Sequence, residues 1–231
     1  MHRRSGAAAV SGPCVVLMPG EREPYLSMAD RLARAVRACG CAVEILPGEN
    51  PGEHPCQAKR WAVARGFAAG ADAVYYIDAD CEVVDVGRLG AFLAAPRSRG
   101  AIHVQRFYPV ARFLRQLRVG RTKPHLDLWK ALVREVCRGV EPVHMCDWLL
   151  CYALSAEQWA ELLEVWDYVA DRLRVAGLNW SDGVSIGIAA AAVGIPVVKT
   201  LSIPDVEGAL RHLQRTTSVD PNWFATWKVP R

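Results

Sequence analysis

Short apolar runs alternate with segments of helical periodicity along the first 80 residues. The run Pro13–Pro19 is bounded by prolines and followed by a glycine, which is typical of a strand buried on both faces of a parallel sheet. Across Pro24–Cys39 the apolar residues recur every three or four positions, which predicts an amphipathic helix that ends at Gly40. A strand at 41–46, a helix at 56–69 and a strand at 73–77 follow. This alternation predicts an α/β fold: a single Rossmann-type domain with right-handed crossovers, a mainly parallel central sheet and helices on both faces.

The remainder of the chain continues the mixed pattern. Helices are predicted at 86–95, 126–137, 156–173 and 182–193, a basic helical stretch at 109–118, and strands at 101–105, 148–154 and 197–201. We predict three parts: a flexible N-terminal tail over 1–12, the domain over 13–215, and an aromatic C-terminal tail over 216–231. The tail either packs on the core, which we favour, or covers a bound ligand.

Composition places the chain among globular proteins, with 52% hydrophobic and 23% charged residues. The longest apolar run, Ile186–Val198, is interrupted by two glycines and a proline and is shorter than the roughly 20 residues that a membrane-spanning helix needs. The apolar stretch near the N-terminus breaks at Ser11 and does not form a signal peptide. We therefore predict a cytoplasmic protein, with peripheral attachment to a membrane as an alternative.

The eight cysteines show no Cys-x-x-Cys pair and no zinc-type spacing with histidine. Without a secretory signal, they are expected to be reduced and mostly buried. A disulfide between Cys146 and Cys151 is the alternative in an oxidising or hyperthermophilic host.

Positive charge is concentrated in one segment. Arg88–Lys123 contains nine Lys or Arg residues and no Asp or Glu, although the net charge of the whole chain is only +4. Such a segment indicates a partner that carries negative charge, and phosphate is the obvious candidate. Within it, Arg106–Arg118 interleaves arginines with Phe and Leu, which fits a helix in contact with a membrane surface or a solvated basic face. No recognition motif accompanies the charge, so nucleic acid is not an expected partner.

The strongest chemical signal is Asp78-Ala79-Asp80, directly after the third predicted strand. In α/β sheets ligands bind at the carboxyl ends of strands. Two carboxylates one residue apart face the same side only if the chain turns there. Mn²⁺ or Mg²⁺ held by such carboxylates commonly takes further ligands from substrate phosphates. Alone, the motif fits an acidic loop equally well.

The segment Ala68–Asp80, an Ala-x-Gly turn, an apolar strand and Asp-x-Asp, resembles GT-A-fold glycosyltransferases. The resemblance implies a GT-A-like domain that moves a sugar from a nucleotide diphosphate sugar to an unidentified acceptor, with phosphorylated and lipid-linked acceptors among the alternatives. It implies Asp78 and Asp80 as metal ligands, with Asp78 also at the diphosphate. His212 is the implied third ligand, and Arg215 is implied to contact the diphosphate.

Other positions match the family's pattern less closely. The strand that ends at Pro19 looks like the family's first nucleotide-binding strand, and Glu21 or Glu23 is expected at the base or ribose. Where the family often has Ala-Arg-Asn, this chain offers only a basic residue for the phosphates, and the resemblance carries that role over to Lys59 or Arg60.

Trp180-Ser181-Asp182-Gly183 resembles the family's acidic motif behind the acceptor site. It implies Asp182 as the catalytic base that takes the acceptor's proton, with Trp180 at the substrate. An N-cap role for Asp182 is the structural alternative, and Asp147 is the second candidate for the base.

Two other functions fit the sequence. A nucleotidyltransferase of related fold would usually have a Gly-rich phosphate loop after the first strand, where only Gly20 is present. A non-catalytic nucleotide- or lipid-binding protein on a degenerate scaffold fits the missing Ala-Arg-Asn and the serine at position 181. The sequence is compatible with inverting and with retaining transfer.

Overall fold

A computed structural model describes residues 12–19, 23–46, 55–112, 123–176 and 182–213. Ten strands and seven helices lie within these ranges. The strands are β1 (Pro13–Leu17), β2 (Ala42–Ile45), β3 (Ala73–Ile77), β4 (Cys81–Val83), β5 (Ala101–Val104), β6 (Phe107–Pro109), β7 (Val143–Met145), β8 (Leu149–Ala153), β9 (Val197–Lys199) and β10 (Leu210–His212). The helices are α1 (Tyr25–Ala38), α2 (Pro55–Ala68), α3 (Val86–Ala94), α4 (Lys123–Val136), α5 (Ala156–Val175), α6 (Asp182–Val193) and α7 (Ile203–Ala209).

Six of the strands form the central sheet, in the order β2-β1-β3-β8-β5-β9. All neighbouring pairs are parallel except those of β8, which runs antiparallel to both β3 and β5. The predicted α/β fold with a mainly parallel sheet is therefore confirmed. Two antiparallel ribbons, β4–β10 and β6–β7, lie outside this sheet, and neither was predicted.

Successive residues of each strand face opposite sides of the sheet, so each strand contributes to two cores. In β3, Val74 and Tyr76 pack with α2, α5 and α6, whereas Tyr75 and Ile77 pack with α1, α3 and α7. Because both faces are covered, the central strands are largely apolar, as in β8, where all five residues are buried. The helices thus lie on both faces, as predicted.

The backbone of α6 approaches β7 closely enough to require glycine. A Cβ atom on Gly187 would lie 1.6 Å from the carbonyl oxygen of Val143, and one on Gly183 would lie 2.3 Å from that of Met145. This close approach fixes the first turn of α6, which begins with Asp182, against the end of β7.

The described cysteine side chains are free thiols, and these include Cys146 and Cys151. Among the described helices, none combines the length and the apolar character that crossing a bilayer would require.

Candidate active site

The chain turns immediately after β3. The Asp78 N–H donates to the carbonyl of Trp148 at 2.8 Å, which continues the pairing of β3 with β8 for one residue. The N–H of Cys81 then donates to the carbonyl of Asp78 at 3.2 Å and closes a turn. Because of this turn the side chains of Asp78 and Asp80 come to the same side, at the carboxyl end of a buried strand.

The β4–β10 ribbon brings His212 to these carboxylates. His212 pairs with Cys81, and the N–H of Leu213 donates to the carbonyl of Asp80 at 3.0 Å. The Nε2 atom of His212 lies 3.2 Å from Oδ1 of Asp80 and 3.9 Å from Oδ2 of Asp78. The indole of Trp148 stacks on the imidazole with ring centres 4.9 Å apart and planes inclined by 4°, which fixes the orientation of the ring.

These three side chains suit a divalent cation. One ligand atom from each of Asp78, Asp80 and His212 lies within 4.8 Å of the others. Nε2 of His212 is buried and makes no hydrogen bond, although it lies close to the carboxylates of Asp78 and Asp80. Buried polar atoms are normally satisfied, and a cation would satisfy this one.

A second group of charges lies beside the first, and Lys59 joins the two. Its ammonium is 3.0 Å from Oδ1 of Asp78 and 2.8 Å from Oδ2 of Asp182, and it donates to the backbone carbonyl of Asp147 at 3.3 Å. Beneath it lies the ring of Tyr76, whose centre is 4.7 Å from Nζ. Burial acts to lower the pKa of Lys59, but the carboxylates of Asp182 and Asp78 outweigh it and hold that pKa well above its ordinary value.

Asp182 and Asp147 form a carboxyl pair. Burial and the neighbouring Asp147 raise the pKa of Asp182 well above its ordinary value. Burial also acts to raise the pKa of Asp147, but Lys59 and a hydrogen bond from Asp182 lower it to about 2. The two pKa values shift in opposite directions, so when the pair holds a single proton Asp182 carries it and donates it to Asp147.

Burial raises the pKa of Asp78 as well, and Lys59 opposes that shift. The metal-type triad and the carboxyl pair thus share one ammonium. Asp78, Lys59 and Asp182 come from three different elements, the end of β3, the helix α2 and the start of α6.

Other predicted residues lie in different surroundings. Arg60 is buried and forms a short ion pair with Asp167 of α5, on another side of α2 from Lys59's partners. The carboxylate of Glu23 accepts hydrogen bonds from the backbone N–H and hydroxyl of Ser27 in the first turn of α1. Pro19 is buried just beyond β1. Roles of these residues toward a nucleotide stay predictions.

Three predicted site residues, Glu21, Trp180 and Arg215, lie outside the described residues. So do the aromatic tail and residues 113–118 of the basic stretch Arg106–Arg118. Of that stretch, Arg106 and Arg112 are described, and both side chains are exposed.

Sequence reasoning missed two features of the site. Trp148, which orients His212, was assigned only to the predicted strand at 148–154. No sequence signal indicates that the ammonium of Lys59 lies between the carboxyl groups of Asp78 and Asp182, and its predicted role at a phosphate stays a prediction. The three partners of Lys59 lie far from it along the chain: Asp78 follows β3, Asp147 lies between β7 and β8, and Asp182 begins α6. The sequence around a lysine in a helix does not indicate such distant partners.

The comparisons with known proteins find distant similarity in structure. The chain matches no protein family model and no curated protein. Among solved structures it is similar to a mutant of Drosophila beta-1,4-galactosyltransferase 7 crystallised with manganese, UDP-Gal and xylobiose. The two share 11% sequence identity and a TM-score of 0.41, over 95% of this chain and 76% of the other.

Proposed function

We propose that the protein is a metal-dependent glycosyltransferase that moves a sugar from a nucleotide diphosphate sugar to an acceptor hydroxyl. The observation that carries the proposal is the pairing of two centres within one site. A metal-type triad, Asp78, Asp80 and His212, lies at the carboxyl end of β3, and Lys59 connects it directly to the carboxyl pair of Asp182 and Asp147.

The two centres match the two demands of glycosyl transfer. A leaving diphosphate needs its growing negative charge offset, and an attacking hydroxyl needs a group that takes its proton. Asp78, Asp80 and His212 would hold the cation, and a bound divalent cation supplies the first function by stabilising charge on the leaving group. The carboxyl pair supplies the second.

The donor atoms favour manganese over magnesium. Two carboxylates suit both cations, but a neutral imidazole suits the transition metals better than magnesium. Trp148 holds the imidazole plane fixed, which pre-orients the nitrogen. We therefore propose Mn²⁺, with Mg²⁺ as a weaker substitute.

The exposed arginines near the site favour an acceptor that carries negative charge. Arg106 and Arg112 are exposed, and the electrostatic neighbours of Tyr108 include both Arg112 and Asp147. These charges support the proposal of a phosphorylated or lipid-linked acceptor bound beside the carboxyl pair. The same arginines would serve a peripheral contact with an anionic membrane.

Thermal stability in the presence of nucleotide sugars tests the proposal. We would measure the melting temperature with UDP-galactose, UDP-glucose, UDP-N-acetylglucosamine and GDP-mannose, each with Mn²⁺ and with EDTA. A ligand at about 100 times its dissociation constant stabilises by roughly 2.7 kcal/mol. We expect such a shift with at least one sugar nucleotide in Mn²⁺ only, and slow release of the nucleoside diphosphate.

A matched pair of variants locates the effect. Asp80→Ala should abolish the Mn²⁺-dependent shift, while Asp72→Asn should keep it, because Asp72 is exposed and precedes β3 at its opposite end. No shift with any donor, or an equal shift in EDTA, would contradict the proposal. Release of inorganic pyrophosphate from a nucleoside triphosphate and a sugar phosphate would instead support a nucleotidyltransferase.

A further inference from the structure

The two carboxyl groups of the pair differ in their access to a substrate. Asp182 is 1% exposed, its Oδ2 atom is covered, and Lys59 contacts that atom at 2.8 Å. Behind it, Gly183 packs against the backbone of Met145 with no room for even a methyl group. Asp147 lies in the connection between β7 and β8 and is partly exposed.

A reacting hydroxyl must come within hydrogen-bond distance of the group that takes its proton. The side chain of Asp182 does not meet this condition in the described structure, because α2, β7 and its own helix cover it. Asp147 is the member of the pair that is partly exposed, so it is the one that a hydroxyl can approach.

We propose that Asp147 is the catalytic residue that accepts the acceptor's proton, and that Asp182 is a positioning residue which donates a hydrogen bond to it from below. This inference rests on the proposed function, and it reverses the roles that the sequence resemblance implies for the two residues.

The surroundings of Asp147 suit an acceptor site. Tyr108 of β6 and His144 of β7 lie in the β6–β7 ribbon, and their ring centres are 4.7 Å apart. Both rings interact electrostatically with Asp147. Phe107 on the same ribbon is exposed, as is Arg106 before it. The ring of Tyr108, which interacts electrostatically with Arg112 and with Asp147, fits a sugar-like or phosphorylated acceptor that presents a hydroxyl to Asp147.

The step balances as a direct displacement. The acceptor oxygen forms a bond to the anomeric carbon of the donor, and its proton passes to Oδ of Asp147. The bond between the anomeric carbon and the diphosphate oxygen breaks, and its electron pair leaves with the nucleoside diphosphate. Asp182 keeps its own proton throughout and holds the Asp147 side chain in place.

Two asparagine substitutions distinguish the roles, because an asparagine amide can donate a hydrogen bond but cannot take a proton at neutral pH. We would measure Mn²⁺-dependent hydrolysis of the panel donor that stabilises the wild type, with water as the acceptor. Asp147→Asn should lose about 100-fold or more. Asp182→Asn should lose less than about tenfold, because its amide still donates to Asp147. Asp171→Asn is the matched control, since Asp171 is exposed on α5.

The pH profile separates positioning from simple structural damage. Asp182→Ala removes the donor to Asp147 and should move the acidic limb of the hydrolysis profile to higher pH, whereas Asp182→Asn should leave that limb close to the wild type. The other titratable groups that interact electrostatically with Asp147 are Lys59 of α2, Asp78 after β3, Tyr108 of β6, His144 of β7, Cys146 next to it and Tyr152 of β8.

A second measurement does not depend on turnover. In Asp147→Cys the new thiol should react with iodoacetamide at least tenfold faster than the one in Asp182→Cys, and bound donor with Mn²⁺ should protect it. Peptide mapping distinguishes these thiols from the native cysteines.

Full activity in Asp147→Asn together with a loss of about 100-fold in Asp182→Asn would overturn the inference, as would faster alkylation at position 182. Both results would leave the proposed function intact as long as the Mn²⁺-dependent donor shift remains. Absence of that shift in the wild type would overturn the proposed function, and the inference with it.

Discussion

Replacing Lys59 by methionine tests the electrostatic organisation of the site, because methionine keeps the length of the side chain and removes the charge. Lys59 is 8% exposed, and its ammonium is the cation that the structure places between Asp78 and Asp182. Removing one partner of a buried ion pair costs about 3–5 kcal/mol, because the other charge stays buried without compensation. For a chain of this size that cost lowers the melting temperature by about 10 °C or more.

The effect should grow with pH. The pKa values of Asp78 and Asp182 are raised in the folded state by burial, so the folded protein binds protons that the unfolded chain releases. Their contribution to stability is present below the ordinary pKa of 3.8 and is lost as pH rises toward the folded values. Without Lys59 those values rise further, and the variant should be less destabilised at pH 5 than at pH 8.

Urea unfolding in EDTA at both pH values measures this free energy. Lys130→Met is the matched control, since Lys130 is exposed on α4 and pairs with Asp127 at 3.7 Å. Such a surface pair contributes less than about 0.5 kcal/mol. A Lys59→Met variant as stable as the wild type at pH 8, or a loss that is the same at pH 5 and pH 8, would refute the reasoning.

Three further predictions concern packing, metal and thiols. Gly187→Ala should cost about 1–3 kcal/mol or more in urea unfolding, because its Cβ would lie 1.6 Å from the carbonyl oxygen of Val143, whereas Gly90→Ala, with its nearest neighbours at 3.5 Å, should be neutral or slightly stabilising. His212→Ala should weaken Mn²⁺ binding by about tenfold or more, measured by electron paramagnetic resonance of free Mn²⁺, and unchanged binding would exclude His212 as a ligand. Burial raises the pKa of Cys151 to about 12, so at pH 9 iodoacetamide should modify this thiol only in urea. Stability should fall as pH rises above about 9, where only the unfolded thiol ionises.

The order of helices and strands was predictable because its signals are local. The apolar run of β3 and the helical period of α1 are each contained in fewer than twenty residues, and the predicted helix at 182–193 has the bounds that the structure gives α6. The direction of β8 was not predictable in the same way. Its five buried residues would suit a parallel or an antiparallel neighbour equally, and the choice depends on how the chain returns through α4 and β7.

The site was predictable only in part, for the same physical reason. Asp78 and Asp80 are one residue apart, so the motif and the end of its strand are visible together. His212 reaches them through the β4–β10 ribbon, whose strands are three residues long and carry no pattern of their own. Lys59 and Asp147 are separated by 88 residues, and only the packing of α2 against the sheet brings them together.

The charges of the assembled site explain why a divalent cation suits it. Four carboxyl groups, those of Asp78, Asp80, Asp147 and Asp182, lie around the ammonium of Lys59 in the described part of the chain. Even when Asp182 and Asp147 share one proton, Lys59 leaves about two negative charges unbalanced in a partly buried place, where unpaired charge is costly. A divalent cation on the triad would balance them, whereas a second lysine would not. If Asp182 were ionised as well, one more negative charge would remain against the same cation. The net charge is the same whichever member of the pair carries the proton, so burial decides the assignment: Asp182 is the protonated partner and Asp147 the carboxylate available to an acceptor.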